Sequence, residues 1–139
     1  MQQKYQYSVY RGHFSRLRSL GNALLYFVDC INNDGLQFYN SFFNAIETVW
    51  IARGYHVYIG KTCKGEVDFI AEKGDEKFYV QAAYLLNDEH VVEREFGAYE
   101  SINDNYPKYV ITMDRLTRNR DGIIHLNLID FLLNKSNEW

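Results

Sequence analysis

The sequence predicts an α/β domain built on a mixed sheet, with three strands in an antiparallel meander, a fourth strand parallel to the third, and helices packed against the faces. Three observations predict it. A long segment with an aromatic stripe at helical spacing, Leu36 to Arg53, precedes the strands. Three β-rich runs then follow at hairpin distances between Tyr55 and Tyr84. A second amphipathic segment separates the third run from a fourth at Lys108 to Met113. A strand, a helix and a strand in that order imply a parallel pair joined by a right-handed crossover.

The chain of 139 residues is long enough for one compact domain with its own core. Its 47% apolar content, with 12 Tyr and 9 Phe, excludes general disorder. A formal charge of −3 argues against a wholly basic nucleic-acid binder and leaves only local basic patches. Cys30 and Cys63 match no metal-ligand spacing, so free thiols in a reducing compartment are expected. The longest apolar run, Ala23 to Val28, is too short for a bilayer, and the Met1-Gln2-Gln3-Lys4 start lacks the apolar core of a signal peptide. A cytoplasmic location without membrane contact is expected. There is no internal repeat, low-complexity tract or linker, so 1–139 reads as a single domain, with lead-in helices over 1–35 and the core over 36–133.

Taken in order, Arg11 to Val28 carries Phe14, Leu17, Leu20, Leu24, Leu25 and Val28 at roughly helical spacing. Gly21-Asn22 divides it into two short pieces. Asn32-Asn33-Asp34-Gly35 is a turn. In the main helix Tyr39, Phe42, Phe43, Ile46, Val49 and Trp50 form one stripe, and Gly54 ends it in the usual position. Glu47 falls at the border of the buried face. Tyr55 to Ile59 is the first strand, Gly60 to Gly65 a loop, and Glu66 to Ala71 the second strand. Alternation puts Val67, Phe69 and Ala71 on one face of that strand, and Glu66 and Asp68 on the other. Lys73 to Glu76 is a hairpin turn, and Phe78 to Tyr84 the third strand, with Tyr79, Gln81 and Ala83 on one face. Asn87 is the expected N-cap of a helix running to about Ser101, with Val91, Val92, Phe96 and Tyr99 inward. A short last strand, Gly122 to Asn127, and an apolar helical turn, Leu128 to Leu133, complete the chain.

A helix acid (Glu47), a strand acid (Asp68) and the neighbouring triplet Gln81-Ala82-Ala83 form the skeleton of a two-metal phosphodiester site. Such sites hold Mg²⁺ on acidic oxygens to activate water, with a lysine stabilising the developing charge. The thirteen-residue step from Asp68 to Gln81 is a hairpin's length and can set the two side chains opposite each other. The skeleton lacks a lysine, since Ala83 stands where one would be needed. Gln81, with its weak amide oxygen, reads as a hydrogen-bond partner for Asp68 or Glu47. For Glu47 a solvated position at the helix border is the plain alternative.

This arrangement resembles the PD-(D/E)XK nuclease fold, of restriction-endonuclease type. A more extensive resemblance is to a domain of unknown function at the C-terminus of prokaryotic AAA+-type ATPases. It rests on Arg53-Gly54-Tyr55-His56-Val57-Tyr58-Ile59-Gly60-Lys61, on Glu66-Val67-Asp68-Phe69-Ile70-Ala71 and on Tyr79-Val80-Gln81-Ala82-Ala83-Tyr84. Glu93-Arg94-Glu95-Phe96 and the run from Asp104 to Asp114 extend it, so that it covers roughly 20–133. The resemblance implies a nuclease-like domain in which Gln and a small residue replace the acid and the lysine. Glu47, Asp68 and Gln81 would then be a vestigial catalytic site, with Asp68 and Glu47 the metal candidates. It implies no required cofactor, and DNA or an AAA+ ATPase module as partner. The alternative is an active Mg²⁺-dependent nuclease in which Lys61, Lys64 or another lysine is displaced into the site. Lys61, Lys64, Arg115, Arg118 and Arg120 are the candidate nucleic-acid contacts, although Asp114 and Asp121 flank the arginines and favour a solvated loop. Arg11, Arg16 and Arg18 form a second basic cluster with the same ambiguity.

Other motifs carry less. Gly60-Lys61-Thr62 resembles the end of a phosphate loop, but Tyr55 stands at the first glycine position and a strand follows instead of a helix. His13, His56, His90 and His125 are scattered and do not suggest a zinc site. Cys63 between Lys61 and Lys64 reads as an exposed loop cysteine.

Overall fold

The computed structural model describes residues 35–133, with side chains from Phe42 onward. The predicted helical pieces of 11–28, the 32–34 turn, the Arg11, Arg16 and Arg18 cluster, His13, Cys30 and the Tyr39 side chain lie outside the described residues. The elements are α1 (Gly35–Ala52), β1 (His56–Thr62), β2 (Gly65–Lys73), β3 (Glu76–Ala82), α2 (Glu89–Gly97), β4 (Lys108–Thr112), β5 (Ile124–Asn127) and α3 (Leu128–Leu132).

The stripe on α1 does what its spacing predicts. Phe42, Ile46, Val49 and Trp50 are fully buried. Gly54 terminates the helix at φ +85°, a left-handed conformation that favours glycine, and its N–H donates to the Ile51 carbonyl. The chain then turns into a five-stranded sheet of order β1-β2-β3-β4-β5. The pairs β1–β2 and β2–β3 are antiparallel, and β3–β4 and β4–β5 are parallel. The meander and the parallel fourth strand are as expected, and β5 adds a second parallel pair.

Two buried clusters lie against the sheet. One joins α1 and α3 to Phe69, Ala71, Val80, Ala82 and Ile111. The other joins Val92, Phe96 and Tyr99 of the α2 region to Val67, Ile70, Tyr79 and Val110. Trp50 anchors the first cluster, stacked on Phe78 and edge-on to Tyr55, each with a centroid separation of 5.2 Å.

Several boundaries differ from the sequence expectation. Gly60, Lys61 and Thr62 are not loop but the end of β1, paired with Val67, Glu66 and Gly65. Between Tyr58↔Ile70 and Gly60↔Val67, β2 carries one residue more than β1, which is a β-bulge. The bulge reverses the alternation, so Val67 packs in the α2 cluster while Phe69 and Ala71 stay in the α1 cluster. The single face expected for all three is therefore corrected. Asp88, not Asn87, caps α2, its carboxylate accepting from the Val91 N–H at 2.9 Å. The helix ends at Gly97, short of Ser101.

Candidate functional site

Ladder pairing between β2 and β3 ends at Phe69↔Val80. One further step of register sets Asp68 opposite Gln81, and here side chains replace the ladder. The Asp68 N–H donates to Gln81 Oε1 at 3.1 Å, and the Ala82 N–H donates to Asp68 Oδ2 at 2.9 Å. The two side chains clasp the strands where the bulged β2 parts from β3.

Asp68 is half-buried, and Gln81 is buried. Burial pushes the Asp68 carboxyl up to about 6, against the pull of the Ala82 N–H. The negative charges of Glu95 and Glu66 raise it further, and the positive charge of Arg94 lowers it. Glu95 sits on α2, only 4% exposed, with its carboxylate 2.8 Å from Arg94 Nη2 and 2.9 Å from Arg94 Nε. Beside this group lies an open cleft of about 500 Å³, walled by Phe43, Ala82, Tyr84, Val91, Arg94 and Glu95.

The other expected members are placed differently. Glu47 is half-buried on α1 and its carboxyl is raised by burial, but it is not among the main charges acting on Asp68. Ala83 is buried in the α2 cluster and offers no polar group. Lys61 pairs with Glu66 at 3.6 Å, and Lys64 with Glu100 at 3.1 Å. Among the described residues, Arg94 of α2 is a positive charge that acts on Asp68. The donor set fits a hard divalent cation poorly: one Asp68 oxygen and the Gln81 amide oxygen already accept backbone N–H groups, and the neutral Gln81 stands where Mg²⁺, held by one or two carboxylates with waters, would take a second anionic oxygen. Among the described residues no group of three or more His, Cys, Asp or Glu side chains is arranged to hold a metal ion.

The candidate nucleic-acid contacts divide into two sets, one at the β1–β2 hairpin and one on the connection between β4 and β5. Lys61 and Lys64 lie at the β1–β2 hairpin, where Lys64 reaches Glu100 just beyond the helix. Arg120 meets Glu93 at 2.7 Å and Glu89 at 3.8 Å on α2, and Asp121 at 3.4 Å. Arg115 and Arg118 are exposed on the connection between β4 and β5.

Sequence reasoning missed the chemical role of Glu95. Its signal was legible, because Glu95 lies three residues after Val92 and four before Tyr99, on the inward stripe itself. It also missed a buried network between the C-terminal end of β4 and the start of β5. His125, 2% exposed, hydrogen-bonds Thr112 Oγ1 at 2.8 Å through Nε2, and Thr112 donates to Asp114 Oδ2 at 2.9 Å. Cys63 is exposed, as expected.

Among the described residues no helix is long and apolar enough to cross a membrane. No family model matches the sequence, and no solved structure matches it. The chain is 34% identical over 119 residues to an uncharacterized protein of Haemophilus influenzae. That alignment takes in 81% of this chain and 29% of the relative, so the chain spans under a third of that protein's length.

Proposed function

We propose that this chain is a catalytically degenerate, PD-(D/E)XK nuclease-like domain of the type found C-terminal to AAA+ ATPases, working in the cytoplasm by contact with a protein partner. The observation that carries the reading is the clasp. Asp68 and Gln81, the residues at the nuclease-like positions, use their side chains to satisfy backbone N–H groups of β2 and β3. An acid so engaged, beside a neutral amide and a buried Ala83, is a poor metal site and lacks a strand lysine to stabilise a phosphorane-like charge. The sheet order and the crossover between β3 and β4 are compatible with a restriction-endonuclease-like topology.

Protein contact is favoured over DNA contact because Lys61, Lys64 and Arg120 each face an acid of the same chain. A phosphate backbone would have to displace those carboxylates, which weakens the counterion-release gain that drives DNA binding.

One observation favours an active nuclease instead. Arg94 sets a positive charge close enough to act on Asp68, where a displaced basic residue would be needed. The two readings separate in one experiment. The pure chain is incubated with supercoiled, linear and single-stranded DNA in Mg²⁺ and in Mn²⁺, beside Asp68→Ala and Arg94→Ala. No cleavage above a blank is expected. Cleavage by the wild type that disappears in both variants would replace the contact reading with the nuclease. Fluorescence anisotropy with the same DNAs at low salt tests the choice of partner, and saturable binding lost on changing Lys61, Lys64 and Arg118 together would make DNA the partner.

A further inference from the structure

The connection between β4 and β5 presents Leu116, 85% exposed, between the exposed Arg115 and Arg118. A loop with its largest apolar side chain in water has little packing to hold it. It is held instead from beneath by a buried imidazole. The Arg118 backbone N–H donates to His125 Nδ1 at 3.1 Å, and Asn119 Oδ1 accepts from the backbone N–H of His125 at 3.0 Å.

These bonds fix the tautomer. Nδ1 accepts a backbone N–H, so it carries no hydrogen, and the ring proton of the neutral imidazole lies on Nε2. Nε2–H then donates to Thr112 Oγ1, whose own hydrogen goes to Asp114 Oδ2. Thr112 Oγ1 also accepts the Asp114 N–H at 3.0 Å, and Asp114 Oδ2 accepts the Leu86 N–H at 2.8 Å. Every site on the ring and on the Thr112 hydroxyl is filled, so the ring has one place for an added proton, Nδ1, and that place faces a donor.

We propose that His125 is a proton-operated latch: protonation at Nδ1 opposes the Arg118 N–H, releases the 115–118 segment from the sheet and leaves the core folded.

The groups around the ring are few. From the connection, Asp114 favours the imidazolium and Arg118 opposes it. β4 presents the neutral Thr112, and α2 turns the Phe96 ring to the imidazole edge-on, at a centroid distance of 6.3 Å. Burial is the main effect and holds the imidazole below its ordinary range near 6.5. The sign follows. A base whose pKa is lowered by folding contributes stability that is present above its unfolded value and lost as the pH falls through the folded one. The latch is therefore closed at neutral pH and opens in mild acid. Asn119 keeps the backbone N–H of His125, which protonation of the ring does not touch, and Arg120 stays tied to Glu93 and Glu89, so the opening is confined to the residues before Asn119.

The test is an NMR titration of the full chain from pH 8 to pH 4, following the His125 ring nitrogens and the exchange protection of the Arg118, Val80 and Ile111 amides. At pH 8 the ring should be the Nε2–H tautomer. As it titrates, the protection factor of Arg118 should fall at least tenfold while those of Val80 and Ile111 hold. His125→Asn supplies a non-titrating acceptor near the Nδ1 position, and its Arg118 protection should be insensitive to pH. The proposal is overturned if Arg118 keeps its protection through the ring's titration, if the ring never titrates above pH 4, if all three amides lose protection together, or if the Asn variant opens at the same pH as the wild type.

Discussion

Asp68 and Gln81 face each other across the parting of β2 and β3, and each satisfies a backbone N–H where the ladder has stopped. The bulge that turns Val67 into the α2 cluster also ends the ladder at Phe69↔Val80. Without the clasp, the N–H groups of Asp68 and Ala82 would lose their partners in a half-dry site, which costs about 1–3 kcal/mol for each unsatisfied group. The acid and the amide thus have a structural reason to stand there, independent of any metal.

Asp68 should make the protein less stable as the pH rises from 4 to 7. Its folded-state pKa is pushed up to about 6 from 3.8, chiefly by burial. A carboxyl raised in this way contributes stability below its unfolded value and loses it as the pH rises through the folded one. Asp68→Asn keeps an oxygen for the Ala82 N–H and does not ionise. Relative to that variant, the wild type should lose about 2–3 kcal/mol across this window, at 1.36 kcal/mol per pKa unit. Urea denaturation of both proteins at pH 4, 5, 6 and 7 reads the difference, and a flat one would show that Asp68 is not desolvated.

Gly60 should tolerate no side chain. It lies inside β1 opposite Val67, and a Cβ built there meets Ile70 Cδ1 at 2.6 Å and Ile70 Cγ1 at 3.0 Å. Ile70 is 1% exposed, so any shift of its side chain presses on packed neighbours. Gly60→Ala should cost about 1–3 kcal/mol, as overpacking does. Ile70→Val removes Cδ1, so the double variant should lose clearly less than the two single losses added together. Strict additivity in thermal melts would place the clash elsewhere.

How far the sequence could be read follows from the range of each interaction. The α1 stripe, the Gly54 stop, the hairpin turn and the crossover are local patterns, and each appears where expected. The bulge is not local, because Val67, Phe69 and Ala71 alternate perfectly in sequence and only pairing with Gly60 breaks their phase. Gly60 reads as a turn residue until the Ile70 side chain that needs the space is in view. Asn87 and Asp88 are both good caps, and reach to the Val91 N–H decides between them. Opposing Asp68 and Gln81 was within reach of hairpin register, and the arrival of Glu95 and Arg94 from α2 was not. The Thr112, Asp114 and His125 network joins positions that no spacing rule connects.

Trp50 should be the costliest single truncation on α1. It is 0% exposed and touches the rings of Tyr55, Phe78 and Phe131, with centroids at 5.2, 5.2 and 5.7 Å. Trp50→Ala opens a cavity between α1, α3 and the sheet and should cost about 3–5 kcal/mol. Trp50→Phe keeps the ring contact with Phe78 and should recover a large part of it. Guanidinium denaturation followed by far-ultraviolet circular dichroism measures both, and an Ala variant as stable as the wild type would mean that the buried face of α1 is misassigned.

Arg94 and Glu95 should tune Asp68 in opposite directions. The Glu95 charge disfavours a second carboxylate nearby, and the Arg94 charge favours it. Glu95→Gln removes the repulsion and should lower the Asp68 pKa. Arg94→Gln removes the attraction and should raise it, because the buried Glu95 charge then acts uncompensated. Glu95→Gln also leaves Arg94, whose side chain is 70% exposed, to solvent, so the fold should survive the change. Carbon-detected NMR titration of the Asp68 carboxyl in the wild type and in each variant gives the three values directly. Movement of both variants in the same direction would show that Asp68 responds to a change in packing, and that α2 does not supply the charges of this site.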